Sequence, residues 1–317
     1  MEFLTFKNGD KMPALGLGTW KSNPGEVYDA IRIAIRLGYR HFDCAAAYQN
    51  EDEIGKAFSD AFKQGDVKRE ELWITSKLWN ANHLKKDVIP AFEKTASDLQ
   101  LDYLDLYLMH WPVALKPGTG FPNSADQFIP ISEAPLDETW TEMEKIYESG
   151  RVKHLGVSNF NITTLDGLMK NAKVMPEMNQ VEMHPFLAQE KLVKHCQDNG
   201  LHLTAYSPLG SGDRPAERIL STEPKLMEDT TIQKIAEVHS VTPAQILLAW
   251  QVNRGVAVIP KSTNEGRLKL NLESAEIKLS DEEMKSINSI ETDFRYIDGS
   301  LWTIEGAPYK MEDLWEY

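Results

Sequence analysis

The sequence predicts an α/β fold, a closed barrel of eight strand–helix units with an N-terminal β-hairpin and long loops at the barrel's C-terminal face. Three observations predict it. Eight short, continuous apolar runs recur along the 317 residues. Nearly every run is followed by a helix pattern. Two long irregular segments begin directly where runs end. Continuous apolar strands suit a parallel sheet buried on both faces, and eight such units close a barrel.

The elements follow in order. FLTFKNGDKMP holds two apolar runs around Asn8-Gly9-Asp10, a hairpin signal. ALGLG is the first barrel strand. Val27, Ala30, Ile31 and Ala34 recur at helical spacing, with Gly38 as the stop. HFDCA is the second strand, and Ile54 to Phe62 mark the next helix. LWITSK (72–77), LDLYLMH (104–110) and HLGVSNF (154–160) are strands, separated by DVIPAFEKTASDLQL and ETWTEMEKIYESG as helices. A helix through Leu165 and Leu168 leads to EMNQVEMHP (177–185), and QEKLVKHCQDNG leads to HLTAYSPLG (202–210). Two helical stretches, TIQKIAEVHSV and TPAQILLAWQV, precede the last strand VAVIPKS (256–262), and EGRLKLNL opens the last helix. Residues 112–136 and 208–228 are Pro/Gly/polar segments leaving strand ends, and 292–317 has no clean period. A doubly wound sheet is the alternative, weakened because no G-x-G-x-x-G turn follows the first strand. One domain over 1–317 is expected.

Composition narrows the function classes. A net charge of −14 disfavours nucleic acid, whose phosphates need a basic face. The start has no basic-then-apolar leader, and no run of about 18 apolar residues appears, so no membrane span is expected. Two cysteines, Cys44 and Cys196, make no disulfide framework. Cys44 reads as a small buried hydrophobe. A cytoplasmic location is expected.

Each strand is apolar in its body and polar at its exit: Thr19 and Trp20, Asp43, Lys77, His110, Ser158 and Asn159, Gln180, Tyr206 and Ser207, Lys261 and Ser262. In such a barrel these exits form the face where sites are built. Asp43 and Lys77 leave neighbouring strands, so pairing would offset much of their burial cost. Tyr48 sits on the turn above them. A lysine ammonium beside a phenol is expected to lower its pKa, making Tyr48 a proton donor near neutral pH. His110 could hydrogen-bond the same reacting oxygen. One local basic cluster stands out in this acidic chain: Lys261, Ser262, Thr263 and Arg267 at a strand-to-helix junction. A helix N-terminus flanked by cations is an anion site.

These residues lie in the motifs LGLGTW, FDCAAAYQNE, ITSKLW, DLYLMHWP, GVSNF, MNQVEMHP, AYSPLGS and IPKS. In that order and spacing, over nearly the whole chain, they resemble the aldo-keto reductase family. The resemblance implies a (β/α)₈ barrel and NADPH-dependent reduction of a small-molecule carbonyl substrate. It implies Tyr48 as general acid, Lys77 lowering its pKa, Asp43 holding Lys77, and His110 orienting the carbonyl. It stacks the nicotinamide on Tyr206 and gives the carboxamide to Ser158, Asn159 and Gln180. Thr19 and Trp20 would flank the cofactor. Ser207, Leu209, Ser211 and Asp213 belong to the implied cofactor site, with Lys21 and Asp213 helping to close 208–228 over the pyrophosphate. Lys261, Ser262, Thr263 and Arg267 would take the 2′-phosphate, and Asn271 would reach the adenine. Many relatives carry glutamate where this chain has Leu270. Trp20, Trp79, His110, Trp111, Phe121 and Trp302 match positions near the substrate cavity. Family members are often monomers.

Two other classes were weighed. A non-catalytic relative that binds cofactor as a sensor, subunit or structural protein is opposed by the intact tetrad. A metal-dependent hydrolase using His110, Glu182 and His184 has no supporting ligand grouping, and no metal is expected.

Overall fold

The computed structural model describes residues 2–212, 214, 219, 222–290 and 292–315. The chain opens with an antiparallel hairpin, β1 (Phe3–Thr5) and β2 (Lys11–Pro13), in register through Leu4 and Met12. Asn8 Oδ1 accepts from the Asp10 amide at 2.9 Å, and Gly9 takes a positive φ of 93° that its missing Cβ permits. The hairpin plugs the barrel floor. Leu4, Phe6 and Met12 pack there on Trp73, Leu106, Leu108, Met178 and Ala257.

The barrel strands are β3 (Leu17–Gly18), β4 (His41–Asp43), β5 (Trp73–Leu78) and β6 (Leu104–Met109), then β9 (Val152–Ser158), β10 (Met178–Glu182), β11 (His202–Tyr206) and β12 (Ala257–Val258). All neighbours pair in parallel in sequence order from β3 to β12. The ring closes where Gly16 N donates to Val258 O at 2.9 Å and Val258 N donates to Ala14 O at 2.7 Å. Gly18 is required at this seam, because a Cβ there would lie 2.8 Å from Ile259 O. The runs were continuous because both faces are covered: every residue of β5, β6 and β10 is buried.

Helices α1 (Glu26–Leu37), α2 (Glu51–Gln64), α3 (Lys85–Asp98), α4 (Leu136–Glu148), α5 (Ile162–Met169), α6 (Glu190–Asp198), α7 (Thr230–His239), α8 (Pro243–Asn253) and α9 (Glu265–Glu273) surround the strands. The helix α1 shows how the pattern works. Val27, Ala30, Ile31, Ala34 and Ile35 face the sheet, and Gly38 closes the helix at φ 103°. Among the described residues, no helix is long and apolar enough to cross a membrane.

Two expectations change. The segment 112–136 is not wholly irregular, since β7 (Ala114–Leu115) pairs antiparallel with β8 (Phe128–Ile129). The helix opening at EGRLKLNL is not the last: α10 (Asp281–Asn288) and the short α11 (Met311–Leu314) follow it. The tail then folds back over the barrel mouth, with Tyr309 donating to Ile129 O at 2.8 Å and accepting from Ala114 N at 2.9 Å.

Candidate active site

Parallel pairing sets Asp43 opposite Thr75, so Lys77, two residues on, projects from the same face of the sheet as Asp43. Both side chains are buried. Lys77 Nζ donates to Asp43 Oδ1 at 2.5 Å and to Cys44 O at 2.9 Å, and lies 3.4 Å from the Tyr48 hydroxyl. Three partners therefore meet three ammonium protons. Tyr48 ends a single helical turn after β4, and Gln49 at φ 55° turns the chain away. His110 follows β6, its ring edge-on to Tyr48 at a centroid distance of 5.9 Å. Among the described residues, the His110 Nδ1 atom has no hydrogen-bond partner, and neither ring nitrogen of buried His83 has one.

The electrostatics differ from the sequence expectation in one respect. Burial pushes the Tyr48 phenol up to about 12, and the Lys77 charge pulls the other way without overcoming it. The expected net lowering is thus reversed. Burial opposes the Lys77 charge, yet Asp43 and Tyr48 together more than offset this and Lys77 ends above its usual value. Burial, then the Lys77 charge, holds His110 well below the imidazole range, so His110 is neutral. The centre is a protonated phenol backed by a permanent cation, beside an uncharged imidazole.

The residues expected to hold a ligand's amide form a relay of hydrogen bonds into this centre. Tyr206 donates to Asn159 Oδ1 at 2.7 Å. Asn159 Nδ2 donates to His110 O at 3.0 Å and to Ser158 Oγ at 3.1 Å. Ser158 Oγ donates to Gln180 O at 2.8 Å, and Gln180 Nε2 donates to Asp43 Oδ2 at 2.7 Å. Tyr206 remains partly exposed, which a stacking face needs. Thr19 is buried, its hydroxyl donating to Asp43 O at 2.9 Å. Trp20 stacks toward Tyr48 at 6.2 Å and carries the Lys21 ammonium 4.1 Å from its ring. Lys21, Asn159, Ser207 and Ser211 all hold positive φ without being glycine. Such strain collects at functional sites. Leu209 packs against both main apolar clusters. Asp213 lies outside the described residues.

The basic junction reaches the surface at Arg267, while Ser262 is buried. Asn264 caps α9 by accepting from the Arg267 amide at 3.0 Å, and Arg267 Nε reaches Ser262 Oγ at 3.4 Å. Arg267 is exposed and Lys261 and Thr263 are half-buried around that N-terminus. Asn271 is buried on the same helix, while Leu270 is exposed.

Aromatic rings wall the space above Tyr48 and His110. Trp79 lies 5.5 Å from His110, 5.3 Å from Phe121 and 5.9 Å from Trp302. Trp111 lies 5.2 Å from Trp302. Phe121 and Trp302 were both expected near the substrate cavity. Phe121 is 54% exposed, but Trp302 is only 3% exposed and is part of an apolar cluster with Trp79, Trp111 and Trp315. The tail's return supplies the cover that a loop tryptophan lacks.

The sequence matches the Aldo/keto reductase family over residues 14–292. The chain belongs to the aldo/keto reductase family. It is 50% identical over 316 residues to an aldo/keto reductase of Synechocystis sp., covering 100% of this chain and 97% of that protein. It is 49% identical over 300 residues to aldo-keto reductase family 1 member A1 of Homo sapiens, covering 94% of this chain and 91% of that one. The solved aldose reductase of Schistosoma japonicum superposes with a TM-score of 0.86 at 39% identity, covering 95% and 96% of the two chains. Membership makes this aldo/keto reductase an oxidoreductase acting on carbonyl groups, of a family that generally uses NAD(P)H.

Sequence reasoning missed several residues of this reductase. Asn50 donates to Thr19 O at 3.0 Å and pins the turn carrying Tyr48 to the end of β3. Trp315 joins the aromatic wall, 5.8 Å from Trp111. Glu182, expected only in a hydrolase site, bonds His184 Nε2 at 2.8 Å and holds the tail: Oε1 accepts from Tyr296 N at 2.7 Å and Oε2 from Ile297 N at 2.8 Å. Its position at the end of an apolar strand was the one visible signal.

Proposed function

We propose that this chain is an NADPH-dependent aldehyde reductase with Tyr48 as general acid. The observation that carries the reading is the Tyr48 hydroxyl 3.4 Å from a Lys77 ammonium that is itself 2.5 Å from Asp43. Tyr48 donates its proton to the carbonyl oxygen as that oxygen gains charge. Lys77 stabilises the phenolate left behind, and Asp43 keeps Lys77 charged and in place. Neutral His110 offers an N–H to the same oxygen and adds no competing charge. The aromatic wall excludes water and holds an apolar aldehyde by area and shape.

The residues present fit the nicotinamide cofactor. When bound, the cofactor supplies the hydride. Tyr206 offers a flat face and Ser158, Asn159 and Gln180 offer amide-complementary groups. Lys261, Ser262, Thr263 and Arg267 provide cations and a hydroxyl at a helix N-terminus, a set suited to a 2′-phosphate and hence to NADPH over NADH. Lys21 would help residues 208–228 close. We further read the protein as one domain, a cytoplasmic monomer.

The test is consumption of NADPH, followed by its near-ultraviolet absorbance, with para-nitrobenzaldehyde. Aldehyde-dependent consumption, slower with NADH at equal concentration, is expected. Tight NADPH binding without turnover across aromatic, aliphatic and sugar aldehydes would leave a binding protein and overturn the reading.

A further inference from the structure

We propose that Asn80 and His83 are positioning residues for His110, holding a buried water that donates to His110 Nδ1 and so keeps the ring's one N–H on Nε2. This rests on the reductase reading above and deepens it, by naming what fixes the imidazole that the carbonyl oxygen meets. Neither Asn80 nor His83 bonds any of the four central side chains directly.

The placement follows from the sheet. Strands β5 and β6 run parallel with Leu78 opposite Met109, so the single turn Asn80–Asn82 and His83 leave the barrel beside His110. The His110 amide donates to Leu78 O at 3.2 Å, and its carbonyl accepts from Asn159 Nδ2 at 3.0 Å. The Trp79 ring, at the start of the turn, lies 5.5 Å from the His110 ring. Thr139 of α4 holds the far end of the turn, its hydroxyl donating to His83 O at 2.7 Å. His83 is near enough to act on the His110 charge. The His110 backbone is therefore fixed at both ends, while no group among the described residues bonds its ring at Nδ1.

Unpaired polar atoms concentrate here. Asn80 Nδ2 and Oδ1, both ring nitrogens of His83 and Nδ1 of His110 are buried without a hydrogen-bond partner among the described residues. All three residues are buried, and the turn packs in the apolar cluster of Trp79, Ala81, Trp111, Val113 and Leu115. Buried polar groups are satisfied as a rule, and several within reach of one another make a site for a water. Burial holds His83 down to about 3 and His110 well below the imidazole range, so both are neutral. Each then has one donor and one acceptor nitrogen. A water between them can accept from the Asn80 amide or the His83 N–H and still donate to His110 Nδ1. The tautomer of a histidine is set by the bond its other nitrogen makes. A donor at Nδ1 therefore puts the proton on Nε2, where the carbonyl oxygen can receive it.

The experiment compares wild type, His83→Leu, Asn80→Leu and His83→Gln. The His110 tautomer is read from the imidazole nitrogen NMR shifts of histidine-labelled protein without ligand, its signal assigned by loss in His110→Gln. Turnover is read with para-nitrobenzaldehyde, NADPH affinity by fluorescence titration, and folding by a melting curve. Wild type should carry the proton on Nε2. Each leucine variant should show mixed tautomers and lose roughly three- to tenfold in kcat, with NADPH affinity unchanged. His83→Gln keeps a donor and an acceptor and should recover most of that loss. A wild-type proton on Nδ1, or unchanged turnover in both leucine variants, would overturn the proposal. So would lost turnover with an unmoved tautomer, the mark of a merely structural role, or a glutamine variant no better than leucine. An apolar side chain in place of an unpaired polar one costs a core little, so the leucine variants should fold. If neither does, the wild-type spectrum and His83→Gln decide. Wild type that consumes no NADPH would overturn the reductase reading, while the same spectra still decide the tautomer.

Discussion

Gln180 Nε2 donates to Asp43 Oδ2 at 2.7 Å, and the other oxygen of the same carboxylate holds Lys77. Asp43 is therefore satisfied on both oxygens inside the barrel. Replacing Gln180 by Leu leaves one buried carboxylate oxygen unpaired. The expected cost is about 1–3 kcal/mol in denaturant unfolding, with reduced turnover. An unchanged unfolding midpoint would show that water or another donor replaces Gln180 at no cost.

Arg267 is exposed beside the N-terminus of α9, and its side chain donates to Ser262 Oγ at 3.4 Å. Arg267→Ala should weaken NADPH by roughly 1.5–3 kcal/mol while NADH is nearly unaffected. Paired titrations with the two cofactors decide this. Equal weakening of both would place the phosphate elsewhere.

The phenol pKa near 12 has a sign that kinetics can read. The reduction needs Tyr48 protonated, and a raised pKa keeps it so across neutral pH. The kcat/KM for reduction should hold level from about pH 6 to about pH 9 and fall only as the phenol ionises. Lys77→Met removes the one cation opposing burial, so the phenol rises further and turnover drops. A break near neutral pH in wild type would mean that the cation wins over burial after all.

Glu51 gives a pH test of stability away from the chemistry. It is buried, accepts from Ser76 at 2.5 Å and Thr95 at 3.0 Å, and burial raises its carboxyl to about 7. A raised folded-state value means the fold binds the proton more tightly than the unfolded chain. That stabilisation is full below about pH 4.5 and is lost as pH rises through about 7, a swing of roughly 3 kcal/mol. Unfolding free energies at pH 5 and pH 8 should differ less in Glu51→Gln than in wild type. An unchanged difference would assign the slope to other groups.

The barrel was legible because its strands are buried on both faces, so their runs are continuous and their polar exits stand out. The pair of Asp43 and Lys77 was legible for the same reason: charges in such runs need partners. What escaped lacked a local signal. The helix α10 buries only Ile287, so its sequence carries little apolar period. The strands β7 and β8 hold two residues each and exist by pairing with one another. Trp302 looked like a loop aromatic because its cover comes from Trp315 and Leu314, which return from the end of the chain. Besides His184 nearby, the partners of Glu182 are backbone amides about 114 residues away, which no side-chain pattern announces. The net shift of Tyr48 is a contest between burial and a charge 3.4 Å distant, and no sequence pattern announces which wins.

The most direct test of the account is the turnover of Tyr48→Phe on para-nitrobenzaldehyde at saturating NADPH, with NADPH affinity measured on the same sample. The variant keeps the ring beside Trp20 and His110 and loses only the proton donor 3.4 Å from Lys77. The account predicts that kcat falls by a factor on the order of 10²–10⁴ while NADPH still binds as in wild type. A variant that keeps more than about a tenth of wild-type kcat, well outside that range, would contradict Tyr48 as the acid.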